Sequence, residues 1–227
     1  MHITFLGHSC FLLETGGKSI LFDPFISHNP EAAGVDLSAI RCDYIFASHA
    51  HFDHIADLET VMANNPEATI VGIWEIHDYY SKKGFKTHPM NIGGWWTFDF
   101  GRVKMVNAVH SSSFPDGSYG GTPAGFVFHT ADGTLYFAGD TALTMDMQLI
   151  PMTCPTLDVA ILPIGSNFTM DYHDALIASD FIKCNHIIGS HFDTFGFIKI
   201  DHEAARHAFE ERGRELFLME IGETREF

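Results

Sequence analysis

The stretch Ser48-His49-Ala50-His51-Phe52-Asp53-His54 places three histidines and one aspartate in the pattern H-x-H-x-D-H, directly after the apolar run of residues 44–47. In an extended segment, side chains two positions apart point to the same face. His49 and His51 can therefore bind one ion from one side. A polar loop that is rich in histidine by chance is the alternative, but this density after a predicted strand favours a metal site.

Asp53 and His54 differ in direction from the two preceding histidines, because the chain bends there into a helix predicted to start near Ile55. Both side chains therefore suit a second ion close to the first. Imidazole favours Zn, Fe, Ni or Cu, and a carboxylate extends the range toward Mn and Mg. The stretch thus predicts a site for two divalent ions.

The composition fits a globular protein that does not bind nucleic acid. Hydrophobic residues make up 46% of the 227 residues, which is enough for a sizeable core in one large domain or two small ones. The formal net charge is −16, with 13 scattered Lys and Arg residues. Such a surface repels a phosphate backbone, although bound divalent ions would leave an anionic small molecule as a conceivable substrate.

The chain carries no recognisable targeting or membrane segment. No run of about 18 apolar residues predicts a membrane span, and residues 1–7 indicate a first strand and not a signal peptide. The four cysteines form no C-x-x-C pair, so we expect reduced core residues in a cytoplasmic protein. They are Cys10, Cys42, Cys154 and Cys184.

Four further polar segments each follow a predicted apolar strand. A carboxylate at the end of such a strand must be paired or bound to metal, and two oxygens would let Asp140 touch both ions. A helix N-cap is the alternative for Asp140. The segments are Asn107-Ala108-Val109-His110-Ser111-Ser112, Gly139-Asp140-Thr141, Gly165-Ser166-Asn167-Phe168-Thr169-Met170 and His191-Phe192-Asp193-Thr194-Phe195.

Together with H-x-H-x-D-H, these segments resemble the metal-binding signature of the metallo-β-lactamase superfamily. The whole chain resembles the metal-dependent hydrolases related to L-ascorbate-6-phosphate lactonase. Relatives usually have Gly after the methionine at position 170, where this chain has Asp171. The resemblance implies His49, His51 and His110 on one ion, Asp53, His54 and His191 on the other, and Asp140 shared between them.

The order of predicted elements favours one domain over residues 1–227. Strands and interleaved helices fill two halves, roughly 1–100 and 101–227, and no linker separates them. This pattern predicts two mixed β-sheets packed face to face, with helices on both outer faces and the metals at the rim. The resemblance gives this α/β (α+β) arrangement its name, the four-layer αββα metallo-β-lactamase sandwich.

Several other residues have open roles. His8, in a Gly-His turn, and Asp23, before a proline, are candidates to support metal ligands, and the roles of Asn167 and His173 stay undetermined. His28 has no partner in sequence and is expected to be exposed. The segment from His202 to His207 resembles the zinc-protease motif H-E-x-x-H, but its two histidines are five positions apart. Because they would lie about 140° apart around a helix, they cannot bind one ion together.

The long segment from residue 111 to residue 125 is rich in Ser, Gly and Pro, which is typical of a mobile loop over a site. Phe114, Tyr119 and Phe126 could line a pocket there, and ordinary packing explains them equally well.

The chemistry expected of such a site is hydrolysis. Two divalent ions, most simply Zn²⁺ with Mn²⁺, Fe²⁺ or Ni²⁺ also compatible, can hold a hydroxide and polarise a carbonyl or phosphoryl oxygen. Asp53 would orient or deprotonate that water. Metal-bound water, His8 or His173 could protonate the leaving group.

Three function classes follow from this chemistry. The favoured one is a hydrolase of a small-molecule ester, lactone or related bond. A phosphodiesterase or nuclease on the same fold and a non-hydrolytic metal protein, such as a di-iron module, are the alternatives. The substrate, the metal and the oligomeric state, a homo-oligomer included, are not determined by the sequence.

Overall fold

The computed structural model describes residues 1–227, which form fourteen strands and six α-helices. The strands are β1 (His2–Gly7), β2 (Cys10–Thr15), β3 (Lys18–Phe22), β4 (Tyr44–Phe46), β5 (Thr69–Ile73), β6 (Thr87–Met90), β7 (Trp95–Phe98), β8 (Gly101–Asn107), β9 (Ala124–Thr130), β10 (Gly133–Phe137), β11 (Val159–Pro163), β12 (His186–Ser190), β13 (Glu215–Phe217) and β14 (Thr224–Glu226). The helices are α1 (Phe52–Ile55), α2 (Leu58–Asn64), α3 (Trp74–Lys82), α4 (Ile150–Thr153), α5 (Tyr172–Ile182) and α6 (His202–Glu210).

The strands form two mixed sheets of seven strands each. The first has the order β14-β1-β2-β3-β4-β5-β6, and the second has the order β13-β12-β11-β10-β9-β8-β7. Strands β3 to β6 run parallel in the first sheet, and β10 to β13 run parallel in the second. Helix α3 packs on β5 and β6, whereas α5 and α6 pack on the second sheet. The predicted pair of mixed sheets with helices on both outer faces is confirmed.

Aromatic side chains fill the space between the two sheets. The ring of Phe22, from β3, stacks on Phe137 of the other sheet with centroids 4.5 Å apart, and it meets Phe128 edge-on at 5.2 Å. All three side chains are fully buried. Strand β11 is buried along its whole length, because helices cover its outer face. The core therefore lies between the sheets, and a smaller apolar cluster lies under α4 to α6.

The carboxyl ends of several parallel strands meet at one edge of the molecule. Strands β3 and β4 lead into Asp23 and His49, and β10 and β12 lead into Asp140 and His191. The backbone of Ala124 donates a hydrogen bond to the carbonyl of Ser48 at 3.0 Å, which joins the two sheets at this edge. In open α/β sheets this is the edge where ligands bind.

Apolar residues at helical spacing predict one helix over residues 55–64, but this prediction is wrong in its start and its continuity. Two helices, α1 and α2, take its place, and they are separated at Asp57 (φ −100°, ψ 4°). The Asp57 carboxylate accepts hydrogen bonds from the backbone N–H groups of Ile26 and Ser27 at 2.6 and 2.8 Å and from the Ser27 hydroxyl. These bonds tie the break to the loop after β3. Asp53 and His54 lie within α1 and not at a bend before a helix.

The C-terminal strand is also shorter than predicted. The sequence pattern predicts one strand over residues 215–221, but β13 ends at Phe217. The chain then turns at Gly222 (φ 89°) and adds β14 beside β1 in the first sheet. The short strand β6 was not predicted. Strand β14 depends on pairing with β1, near the other end of the sequence, which local patterns do not specify.

Two observations bear on targeting and redox state. No helix of the structure has the length and apolar character that a membrane crossing requires. All four cysteines are unpaired, with Cys10 and Cys184 buried. Burial raises the pKa of the Cys42 thiol to about 12, so at neutral pH this thiol is protonated.

Replacement of Phe22 by Ala should remove the central ring between the sheets and leave a cavity. We expect the free energy of unfolding to fall by about 3–5 kcal/mol, measured by denaturant titration. Phe197→Ala is the matched control, because that ring is 79% exposed and its loss should change stability by less than about 0.5 kcal/mol. Equal effects of the two substitutions would contradict this assignment of the core.

Candidate metal centre

The structure brings all seven residues of the predicted ligand set to the shared sheet edge. The ligand atoms of His49, His51 and His110 all lie within 4.8 Å of one another. His49 Nε2 is 3.0 Å from His51 Nδ1, and the His110 ring centroid is 5.1 Å from each of the other two. The two histidines of H-x-H thus face one point together with a third from the end of β8.

A second cluster lies beside the first. The ligand atoms of Asp53, His54, His191 and His8 also lie within 4.8 Å of one another. Asp53 Oδ2 is 3.7 Å from His191 Nε2 and 3.8 Å from His54 Nε2. The first turn of α1 supplies Asp53 and His54, and the end of β12 supplies His191.

Asp140 lies between the two clusters. Its Oδ2 is 3.0 Å from His191 Nε2, 3.3 Å from His54 Nε2 and 3.6 Å from His110 Nε2. The side chain is 2% exposed. The alternative role as a helix N-cap does not apply, because the next helical turn begins after Thr144, whose side chain caps it. One carboxylate oxygen therefore faces histidines of both clusters.

His8 contacts the site through Asp53. Its Nε2 is 3.1 Å from Asp53 Oδ2, and its Nδ1 is 3.0 Å from the Thr194 hydroxyl. Burial lowers the pKa of His8 to about 4, so the ring is neutral. Because a carboxylate only accepts hydrogen bonds, the ring proton belongs on Nε2 and Nδ1 accepts from Thr194. His8 therefore fixes the orientation of Asp53.

Asp23 supports the histidines from behind. Its Oδ1 accepts the backbone N–H of Ser48 at 2.7 Å, and its Oδ2 lies 2.6 Å from the Ser48 hydroxyl and 2.7 Å from His54 Nδ1. The Ser48 hydroxyl in turn lies 2.9 Å from His49 Nδ1. These contacts occupy Nδ1 of both rings, so the Nε2 atoms of His49 and His54 point into the site.

Three of these residues have left-handed backbone conformations that non-glycine residues rarely adopt. They are His8 (φ 58°), Asp23 (φ 40°) and His191 (φ 56°), and each costs of order 1–3 kcal/mol. Contacts hold this backbone in place: His191 N–H donates to the His8 carbonyl at 2.9 Å. A Cβ on Gly165 would collide with the His191 carbonyl, so only glycine fits there.

The electrostatics of the site favour positive charge. Burial would raise the pKa of Asp140, but His191 and His54 outweigh burial and hold that pKa well below its usual value. Burial would likewise lower the pKa of His191, but the Asp140 carboxylate raises it to about 9. The carboxylates thus attract cationic partners to the site.

The donor set fits divalent metal ions. His54 Nε2 and Asp140 Oδ1 are buried and make no hydrogen bond, which is costly unless another partner binds them. Nitrogen donors from five histidines and oxygen donors from Asp53 and Asp140 suit Zn²⁺ and also Mn²⁺, Fe²⁺ or Ni²⁺. The buried and unpaired donor atoms are therefore placed as metal ligands would be.

An open cavity of about 770 Å³ gives access to the cluster. Its polar side includes five of the seven residues, and its outer side includes Phe168, Phe195 and Phe197. The sequence analysis did not single out these three aromatic residues. The sequence gives one indication that they lie near the site, which is their position in the loops that follow β11 and β12.

Of the three aromatic residues that could line a pocket in the segment over residues 111–125, none lines this cavity. Phe114 and Phe126 are buried, and the Phe114 ring stacks on Tyr79 at 3.8 Å. Tyr119 is exposed and does not line the cavity. The segment over residues 111–125 is anchored, since the Ser112 hydroxyl accepts the Ala50 N–H at 3.2 Å.

The structure also clarifies the remaining histidines. His173 is exposed on α5, and neither His173 nor His8 lines the cavity. The structure therefore does not support either residue as the acid that protonates the leaving group. His28 is exposed as expected. His202 pairs with Asp193, and His207 pairs with Glu211, so these two histidines do not share an ion. Asn167 is exposed in the loop after β11.

Comparisons with known proteins identify the family of the chain. A family model described as "Beta-lactamase superfamily domain" matches residues 2–191. A UPF0173 metal-dependent hydrolase of Flavobacterium johnsoniae is 58% identical over 99% of both chains, and one of Christiangramia forsetii is 55% identical over 99% of both. The chain belongs to the UPF0173 metal-dependent hydrolases of the β-lactamase superfamily. The resemblance to the metallo-β-lactamase superfamily and to its metal-dependent hydrolases is confirmed.

A solved structure of the same superfamily superposes closely. Igni18, a metallo hydrolase of the hyperthermophilic archaeon Ignicoccus hospitalis, is 33% identical with a TM-score of 0.90 and covers 100% of this chain and 97% of its own. This UPF0173 chain is thus a metal-dependent hydrolase. Its Asp171 accepts the Asp174 N–H at 2.8 Å and caps α5.

Replacement of Asp23 by Asn should weaken metal binding, because an amide cannot accept every hydrogen bond from Ser48 and His54 at once. We expect Zn²⁺ affinity to fall about 10- to 100-fold in a competition titration with a chelator. Asp57→Asn is the matched control, since Asp57 is also buried and accepts backbone N–H groups but contacts no histidine. Unchanged affinity in Asp23→Asn would contradict the supporting role.

Proposed function

We propose that this chain hydrolyses a small-molecule ester, lactone or related bond with two divalent ions bound at the candidate centre. His49, His51 and His110 would hold one ion, and Asp53, His54 and His191 the other. Asp140 would contact both. The position of Asp140 Oδ2, within 3.0 to 3.6 Å of nitrogens from both clusters, is the observation that carries the proposal.

Two bound divalent ions supply Lewis acidity and lower the pKa of water, so that hydrolysis needs no activated Ser or Cys. Asp53 is the residue of the chain that can guide the water. Its side chain is 27% exposed and lines the cavity, and His54 and His191 keep its pKa low despite partial burial. An ionised carboxylate fixed by His8 can accept a hydrogen bond from water and so orient it.

The partner proposed for this centre is a small molecule and not a nucleic acid. The net charge of −16 and the absence of a basic stripe oppose binding to a phosphate backbone. Free cysteines, two of them buried, support the proposed cytoplasmic location, where thiols stay reduced.

Asp140→Ala and His51→Ala should each abolish hydrolysis and lower metal content below two equivalents per chain. The measurements are elemental analysis of the purified protein and turnover of a panel of aryl esters, lactones, thioesters and phosphodiesters. His207→Ala is the control, because its side chain is 71% exposed and pairs only with Glu211.

Full activity of either variant, or of wild-type protein after metal removal by a chelator, would contradict the proposal. Turnover restricted to RNA or cyclic nucleotides would favour the phosphodiesterase alternative. Visible absorption from bound iron without hydrolysis would favour a non-hydrolytic di-iron protein.

A further inference from the structure

Three phenylalanines form an apolar wall on the cavity beside the candidate metal centre. Phe197 is 79% exposed, Phe168 is 50% exposed, and Phe195 is partly buried. Single exposed apolar residues are ordinary, but here three rings line one cavity that also contains Asp53 and Asp140. We call Phe168, Phe195 and Phe197 the phenylalanine wall.

The loop after β11 holds Phe168 in a fixed position. Ser166 (φ 63°) and Asn167 (φ 57°) both have left-handed backbone conformations, and neither is a glycine. Hydrogen bonds compensate: Ser166 N–H donates to the Met170 carbonyl at 2.9 Å, and Met170 N–H donates to the Thr141 carbonyl at 3.1 Å. A strained but well-bonded loop of this kind presents a side chain in a set direction.

The loop after β12 holds Phe195 and Phe197. Asp193 N–H donates to the Ile198 carbonyl at 2.8 Å, and its carboxylate lies 2.6 Å from His202 Nε2 on α6. The Phe195 ring meets the His8 ring edge-on at 5.4 Å, and the Phe168 and Phe197 rings meet edge-on at 6.4 Å. The wall therefore connects two loops and reaches the residues around Asp53.

Outside the proposed metal ligands, the cavity has no cationic side chain. None of the residues that line it is Lys or Arg, whereas Asp53 and Asp140 are both present. Bound metal ions would attract an anionic reacting group, but a charged group farther along the substrate would lie against aromatic rings with no cationic partner. Such a group would lose part of its hydration without compensation.

We propose that the phenylalanine wall is the subsite for the non-reacting part of the substrate, and that it selects a neutral aryl or branched alkyl group over an anionic one. This inference rests on the proposed function, because the wall is a substrate subsite only if the adjacent centre performs the reaction. The proposed substrates, which so far include anionic small molecules, are thereby limited to molecules that carry no phosphate or carboxylate remote from the scissile bond.

The test compares two esters of similar size that share a scissile bond. Zn²⁺-loaded protein is assayed with 4-carbamoylphenyl acetate and 4-carboxyphenyl acetate, and each kcat/KM is divided by the alkaline hydrolysis rate of the same ester. We expect the neutral ester to be preferred about tenfold or more. Equal values, or a preference for the carboxylate, would overturn the inference.

Substitutions in the phenylalanine wall test whether the wall causes this preference. Phe168→Ala and Phe197→Ala should each raise KM for the neutral ester about fivefold, with little change in kcat, because loss of one aromatic contact weakens binding without altering the reacting groups. Trp96→Ala is the matched control: Trp96 is 52% exposed, as Phe168 is 50% exposed, but it lies on edge strand β7 and outside the cavity. An unchanged KM in both wall variants would also overturn the inference.

A binding measurement separates failure of this inference from failure of the proposed function. Acetanilide and 4-acetamidobenzoate are amides that resemble the two aryl acetates, and their binding to Zn²⁺-loaded protein is followed by saturation-transfer NMR. Tighter binding of acetanilide that is weakened by Phe197→Ala, without turnover of any ester, would support the wall and refute the proposed hydrolysis. Turnover of both esters with no binding preference would support hydrolysis and refute the wall.

Discussion

A buried carboxylate among buried imidazoles is the constraint on which the rest of the structure depends. Asp140 Oδ2 lies within 3.6 Å of nitrogens from three histidines, in a place that is 2% exposed. A carboxylate costs too much to bury unless cationic partners surround it. Protonated His54 and His191 can supply that charge, and divalent ions can supply it better because they also bind the unpaired donor atoms. The arrangement therefore favours the binding of cations beside Asp140.

The two sheets satisfy this constraint by delivering side chains from distant segments to one edge. Parallel strands end there, so Asp23, His49, Asp140 and His191 converge although they are far apart along the chain. The backbone is strained at this edge, because His8 and two of these residues have positive φ angles. The aromatic core between the sheets offsets that strain. The packed layers thus supply most of the stability. Residues at the rim can therefore adopt the strained conformations that bring reactive groups together.

Much of the site could be predicted from the sequence because its residues follow apolar strands or lie in one compact motif. The directions of His49 and His51 come from local geometry alone, and the pairing of His110, Asp140 and His191 came from resemblance. The predictions that were wrong or missing concern features that depend on contacts between distant parts of the chain. The helix break at Asp57 requires the loop that contains Ser27, and β14 requires β1 as its partner. The phenylalanine wall was missed because Phe168 and Phe197 show neither strand nor helix periodicity.

The central claim is that two cations share Asp140, and anomalous X-ray diffraction tests it most directly. Crystals grown with Zn²⁺ are measured above and below the zinc absorption edge. The account predicts two strong anomalous peaks, one among His49, His51 and His110 and one among Asp53, His54 and His191, with Asp140 next to both. A single peak, or peaks located away from Asp140, would contradict it.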